Sequence, residues 1–305
     1  MKVLLTGQCG FIGKNLKTNL SKTVELEYID KKQNSDRQLS LLNYSEVKKL
    51  INSFRPDYVI HLAARTDLNG YKLKDYDDNI VGTKNLLKAC IHKNIKKIFI
   101  ASTMLVDPFL NNKSTKLIKT TYGESKFIME NFCLSEFAHL PIVIGRITSA
   151  WGPGFSEPYR QFFWYVNKRL FVGIKNHSVK KTFCFIENLM VLIKSLTFEN
   201  EVPKLVYLAD DHKDLFNWSK EISDKLQIKE CFKVSKSFLK RTSQVGEFIN
   251  KFGFQFPLSN MKYHNLVNSN VIPLDDFIDN CQTKFVSQED ALNKTLKWMK
   301  ENNHF

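Results

Sequence analysis

Eight residues near the start of the chain, Thr6-Gly7-Gln8-Cys9-Gly10-Phe11-Ile12-Gly13, constrain the fold more than any others. A short β-prone run, Lys2 to Thr6, leads into them, and a helical pattern through Leu16 and Leu20 leads out. Glycines three apart allow a tight turn, close approach of backbone to a pyrophosphate, and close helix packing. The helix N-terminus meanwhile offers N–H groups and a positive dipole to the phosphates. The pattern is a dinucleotide fingerprint whose first interval is one residue longer, and the whole turn from Gly7 to Gly13 is expected to line a cofactor.

The next strand supports that expectation. Val24 to Ile29 ends at Asp30, 23 residues after Gly7, where a carboxylate can accept both adenosine-ribose hydroxyls. Its charge repels a 2′-phosphate and so favours NAD, while Lys31 and Lys32 could attract one and leave NADP open. Further apolar runs follow at Tyr58 to Ala63, Ile98 to Ala101, Ile142 to Ile147, Phe183 to Ile186 and Leu205 to Leu208. Helical segments such as Ser45 to Phe54, Asn79 to Lys93 and Tyr122 to Phe137 separate them. Continuous rather than alternating apolar strands, spaced by helices, predict a doubly wound parallel α/β sheet. Residues 1–150 plus 183–212 are expected to form this Rossmann domain, with the Phe183 and Leu205 runs as late strands of its sheet. Residues 151–182 plus 213–305 are expected to form a smaller, interleaved substrate lobe with loops at Trp151-Gly152-Pro153-Gly154 and Phe256-Pro257, ending in an amphipathic helix, Gln288 to Asn302.

Composition narrows the class. The 305 residues suffice for a full core, and no uncharged apolar run approaches a bilayer span. The opening Met1-Lys2-Val3-Leu4-Leu5-Thr6-Gly7 turns too early for a signal-peptide core, so a soluble cytoplasmic protein without a membrane partner is expected. Six scattered cysteines form no C-x-x-C pair, signalling neither a metal site nor a disulfide framework. A net charge of +14 invites a nucleic-acid partner, but the lysines are spread along the chain rather than gathered in an arm, and none is expected.

A second group of residues carries reaction chemistry. In Tyr122-Gly123-Glu124-Ser125-Lys126 the spacing of four puts phenol and ammonium on one helix face. A nearby ammonium favours phenolate, a base able to take a hydroxyl proton while hydride leaves the same carbon. The strand Ile98 to Ala101 runs into Ser102-Thr103, and hydroxyls at the carboxyl end of a parallel strand are expected to face the ligand crevice.

Taken together, TGQCGFIG, Asp30, HLAA at His61 to Ala64, NIVGT at Asn79 to Thr83, AST at Ala101 to Thr103, YGESK and RITSAWGPG at Arg146 to Gly154 resemble the extended short-chain dehydrogenase/reductases, in particular the NAD-dependent epimerase/dehydratase group acting on nucleotide sugars. The resemblance covers nearly the whole chain. It implies Tyr122 as catalytic base, Lys126 as its electrostatic partner and ribose ligand, and Thr103 as the hydroxyl bridging Tyr122 and the substrate. Leu62, Ala63, Ala64, Asn79 and Ala101 would line the cofactor site. Lys181 falls where the family has an arginine on the nucleotide diphosphate, and Ser149 where it has an asparagine at the substrate. A homodimer through helices including that of Tyr122 is implied as well.

The chain also departs from that pattern. Ser40 stands where an adenine-contacting aspartate is expected, and Trp151 where a tyrosine is expected. Met104 and Leu105 follow Thr103 in place of the Asp-Glu pair of sugar 4,6-dehydratases, and neither transfers a proton. The lysine-rich stretch Asp107 to Thr121 is expected to reshape the crevice rim. The reading that follows is an NAD-dependent nucleotide-sugar 4-epimerase working through a transient 4-keto sugar. A nucleotide-sugar 4-ketoreductase using NAD(P)H is the alternative, and a catalytically idle dinucleotide-binding scaffold is the alternative of another class.

Overall fold

The computed structural model describes residues 1–110, 116–251, 258, 260–281 and 284–305. Part of the lysine-rich stretch and the Phe256-Pro257 loop lie outside them. In chain order the elements are β1 Lys2–Thr6, α1 Phe11–Leu20, β2 Glu25–Ile29, α2 Tyr44–Phe54, β3 Tyr58–His61, α3 Thr83–Cys90, β4 Lys97–Thr103, α4 Thr121–Leu134, β5 Ile142–Ile147, β6 Ser149–Trp151, α5 Tyr159–Asn167 and β7 Val172–Ile174. There follow β8 Lys180–Phe185, α6 Ile186–Phe198, β9 Leu205–Leu208, β10 Asp211–Asp214, α7 Leu215–Leu226, β11 Phe232–Val234, α8 Lys236–Lys251, α9 Asn260–Val267, α10 Asp276–Cys281 and α11 Gln288–Glu301.

Six strands form one parallel sheet in the order β2-β1-β3-β4-β5-β9. Chain order reverses beside β1, so the crevice beyond the carboxyl ends of β1 and β3 is the topological switch point where α/β sheets bind ligands. The continuous apolar strands are buried on both faces because side chains alternate across the sheet. Leu4, Val59, Ile98, Ile100, Ile142 and Ile144 pack with α2, α3 and α4. Val3, Leu5, Ile60, Phe99 and Val143 face the other way, into a core with α1, α6 and α11 that continues through Trp151, Phe163 and Trp218.

One expectation is corrected here. The Phe183 run is not a strand of the main sheet: β8 lies in a separate three-stranded sheet, antiparallel to β10 and parallel to β6, and Ile186 already begins α6. A short apolar run buried on both faces reads identically in either sheet, so periodicity alone could not assign it. Phe183 and Phe185 enter the aromatic group around Trp151 and Trp218. Leu205–Leu208 does join the main sheet, beside β5. Among the described residues, no helix is long and apolar enough to cross a membrane.

Candidate active site

The glycine turn is built around steric necessity. Gly7 ends β1 with φ +78°, and a Cβ there would lie 2.6 Å from the Ala63 backbone nitrogen. At Gly13 a Cβ would lie 2.1 Å from the Gly7 carbonyl oxygen. Gly10 caps α1 with no side-chain acceptor, and no acidic residue occupies the first turn. The first amide in the helical ladder is that of Lys14, which donates to the Gly10 carbonyl at 2.9 Å, so the amides of Phe11, Ile12 and Gly13 point out of the helix end. An uncapped helix N-terminus behind glycines that bring backbone close fits a pyrophosphate.

Asp30 closes the turn from β2. One carboxylate oxygen accepts the Cys9 amide at 2.9 Å and the other the Lys32 amide at 3.0 Å, leaving lone pairs for ribose hydroxyls. Lys31 reaches away to Asp78 at 2.5 Å, which removes one of the two cations that could favour a 2′-phosphate. Gln8 is buried, donating to Ser35 at 2.6 Å, and its other amide atom has no partner.

Leu62, Ala63 and Ala64 follow β3 and form the facing wall. Leu62 donates to the Thr6 carbonyl and Ala63 to the Thr6 hydroxyl, at 3.2 Å and 3.1 Å. That hydroxyl also meets His61 Nδ1 at 2.7 Å, and His61 Nε2 meets the Thr83 hydroxyl at 2.8 Å. Burial first, and the Lys126 charge second, push His61 down to about 3. The imidazole is therefore neutral in the native protein, and the stability this confers is complete above pH 6.5 and is lost as pH falls from there toward 3. The loss amounts to at most about 5 kcal/mol. Urea unfolding of wild type and His61→Gln at pH 7 and pH 4.5 is expected to show a steeper acid loss in the wild type. Equal losses would remove His61 as the cause.

Asn79 lies in a single π-helical turn, Asp78–Gly82, before α3, a distortion often found at functional sites. Its side chain accepts the Arg65 amide at 2.8 Å and donates to the Arg65 carbonyl and the Ser125 hydroxyl, each at 3.0 Å. It thus ties the loop after β3 to α4.

On α4, the Thr120 hydroxyl accepts the Gly123 amide at 3.0 Å, and Gly123 packs where a Cβ would lie 2.3 Å from the Leu105 carbonyl oxygen. This close approach brings Tyr122 against the end of β4, beside Thr103. Burial raises the phenol above its ordinary value, and the nearby Thr103 hydroxyl opposes that rise. Lys126 is buried and donates to the Ala101 carbonyl at 2.9 Å, and burial pushes it down to about 8. The structure therefore sets Tyr122 beside Thr103, and fastens Lys126 to the same strand at Ala101 rather than to the phenol.

Ser102 corrects a second expectation. Alternation turns it away from the crevice, and its hydroxyl donates to Glu130 at 2.5 Å. Glu130 also receives the Arg146 guanidinium, both partners buried, at 2.7 Å. Arg146 donates on to the Tyr207 hydroxyl at 2.8 Å, and Tyr207 donates to Asp107. This chain of bonds holds β4, α4, β5, β9 and the turn after Thr103 behind the reacting groups. Sequence reasoning missed it, although Glu130 stands four residues after Lys126 and Arg146 interrupts an apolar strand, and both demand a partner when buried. It also missed Tyr76, whose ring lies 6.1 Å from that of Tyr122 and whose hydroxyl donates to the Asp67 carbonyl at 2.7 Å.

Of the substrate-side residues, Ser149 accepts from the Tyr159 hydroxyl at 2.6 Å. Lys181 lies on β8 and is pushed down to about 8 by burial alone, and among the described residues no carboxylate forms an ion pair with it.

The model of the NAD dependent epimerase/dehydratase family matches residues 3–184. A GDP-6-deoxy-D-talose 4-dehydrogenase of Aggregatibacter actinomycetemcomitans is 35% identical over 99 residues, which span 32% of this chain and 33% of that protein. A UDP-glucose 4-epimerase of Vibrio cholerae is 29% identical over 240 residues, spanning 70% and 71% of the two chains. In fold, the protein resembles the Bordetella bronchiseptica enzyme WbmG solved in complex with NAD, with TM-score 0.73 at 16% identity over 100% of this chain and 95% of that one. Since the family match extends from β1 to Cys184 and takes in the glycine turn, Thr103, Tyr122 and Lys126, the chain belongs to the NAD-dependent epimerase/dehydratase family.

Proposed function

We propose that the protein is a nucleotide-sugar 4-epimerase acting through a transient 4-keto sugar, with Thr103, Tyr122 and Lys126 as its working residues. The observation that carries this reading is the placement of Tyr122 and Lys126 on α4 against the carboxyl end of β4, with Lys126 donating to the Ala101 carbonyl at 2.9 Å. NAD supplies a hydride acceptor and donor when bound. The turn from Gly7 to Gly13 holds its pyrophosphate, Asp30 its adenosine ribose, and Leu62, Ala63, Ala64, Asn79 and Ala101 line the remainder. Lys126, anchored on Ala101, presents its charge to the nearby ribose and steadies negative charge on the phenol.

In its phenolate form Tyr122 takes the proton of the sugar 4-hydroxyl as that carbon becomes a ketone, and the resulting phenol returns it when the carbon is reduced from the opposite face. Thr103 bridges phenol and sugar oxygen. Burial excludes water and keeps the shared proton on these two oxygens. No second acid or base is needed, which agrees with Met104 and Leu105 standing where a dehydratase needs one. Lys181 holds the nucleotide diphosphate, and Ser149, bonded to Tyr159, borders the sugar.

A 4-ketoreductase is a second reading, and one observation favours it: the raised phenol is protonated at neutral pH, the form from which a reductase starts. Denaturing the freshly purified protein and identifying the dinucleotide it releases separates the two. Near-stoichiometric NAD or NADH, with C4 interconversion of a UDP-hexose by the intact protein, is the expected result. Release of none, with preference for added NADPH, would replace epimerisation by reduction.

A further inference from the structure

The segment after α9 brings one side chain of the C-terminal part of the chain to the turn that follows Thr103. Its backbone is clamped along β8: the Asn270 amide donates to the Lys180 carbonyl at 2.8 Å, and the Thr182 amide donates to the Asn270 carbonyl at 3.1 Å. On either side, Lys180 donates to the Ser269 hydroxyl at 3.0 Å and Ile272 to the Thr182 hydroxyl at 2.9 Å. Asn270 and Lys181 are bridge partners in parallel register, so their side chains rise from the same face of this small sheet. The Asn270 carboxamide then crosses to the main domain and donates to the Met104 sulfur at 3.6 Å. Met104 is the residue directly after Thr103.

This contact is poorly matched. A carboxamide N–H is a strong donor and a thioether sulfur a weak acceptor, yet Asn270 is only 8% exposed. A nearly buried donor with a weak partner gains when a better acceptor arrives. The fold places that donor one residue from the Thr103 hydroxyl, on the same face as Lys181. A nucleotide sugar with its diphosphate at Lys181 and its reacting carbon at Thr103 lies with its ring between them, alongside Asn270.

Resting on the nucleotide-sugar reading above, we propose that Asn270 is a specificity-determining residue, whose carboxamide leaves the Met104 sulfur to hydrogen-bond one ring hydroxyl of the sugar and so selects hydroxylated over deoxy sugars at that carbon. A hydroxyl both donates and accepts, and a carboxamide offers both complements. Sites that hydrogen-bond a substrate hydroxyl reject the analogue lacking it, because the site's own polar group is left poorly paired.

The test measures affinity by calorimetry for a UDP-hexose and for its ring-deoxy analogues, one carbon at a time. It uses the NAD-loaded full-length protein and the variants Asn270→Ala and Asn270→Leu, with melting temperatures recorded for each. The leucine is close in size, brings no charge beside Lys181 and keeps the backbone clamp, so it remains informative if the alanine variant folds poorly. Wild type is expected to prefer the hydroxyl at one carbon by about tenfold. In both variants that preference falls to about onefold to threefold, while preferences at the other carbons and the affinity for UDP alone stay as in wild type. A merely structural Asn270 would weaken every ligand together and leave the preference intact, and that result overturns the proposal. A wild type that binds UDP-hexoses without preference at any carbon overturns it too. Failure of wild type to bind any UDP-hexose instead overturns the nucleotide-sugar reading, and this one with it.

Discussion

Tyr122→Phe is expected to lower turnover of a nucleotide sugar by roughly 10²–10⁴-fold, the range for removing a positioned acid or base, while NAD remains bound. The ring is nearly buried and packs against Tyr76, and phenylalanine preserves that packing. The change removes the phenol hydroxyl beside Thr103 and little else, so stability should move by no more than about 1 kcal/mol. Dinucleotide content after purification, melting temperature and the rate of C4 conversion together read the outcome. Full turnover by this variant would displace Tyr122 from the mechanism, whereas loss of bound dinucleotide would make it a cofactor ligand first.

Gly13→Ala is expected to abolish dinucleotide binding. The added methyl would sit 2.1 Å from the Gly7 carbonyl oxygen and 2.8 Å from the Gln8 Cα. Both are backbone atoms of the turn itself, so the turn must open, and overpacking of this kind costs about 1–3 kcal/mol. Gly10→Ala supplies a graded control, since its nearest contact is 3.3 Å from the same oxygen, and it should keep measurable binding. Comparing NAD-induced shifts in melting temperature across the two variants checks the order. Equal binding by both would mean that the close packing of helix on turn is not what shapes the pyrophosphate site.

What could be read from the chain depended on how local each signal was. β1, β5 and β9 occupy the spans their apolar runs mark, because a strand covered on both faces writes itself as an unbroken hydrophobic stretch. The glycine turn and Asp30 were legible because one strand–turn–helix–strand unit brings them together: the Asp30 carboxylate bonds the amide of Cys9 in the turn and that of Lys32. Tyr122 and Lys126 share a helix, yet their partners do not, and spacing could not say that Lys126 would turn to Ala101. Ser102 shows a different limit, since two adjacent hydroxyls at a strand end cannot both face one crevice. Asn270 was beyond reach altogether. Its significance comes from a contact with Met104, 166 residues earlier, which only the folded chain creates.

The core on the α1 and α6 side of the sheet has a consequence for how the molecule comes apart. Val3, Leu5 and Leu16, beneath the glycine turn, belong to the same continuous apolar mass as Trp151, Phe163, Trp218 and Cys231 from later in the chain, with Ala291, Leu292 and Met299 of α11 joined to it. The two regions thus share one continuous apolar core. The cofactor cradle and the C-terminal part of the chain are therefore expected to unfold as one cooperative unit, with NAD binding at one end adding to the resistance of the other.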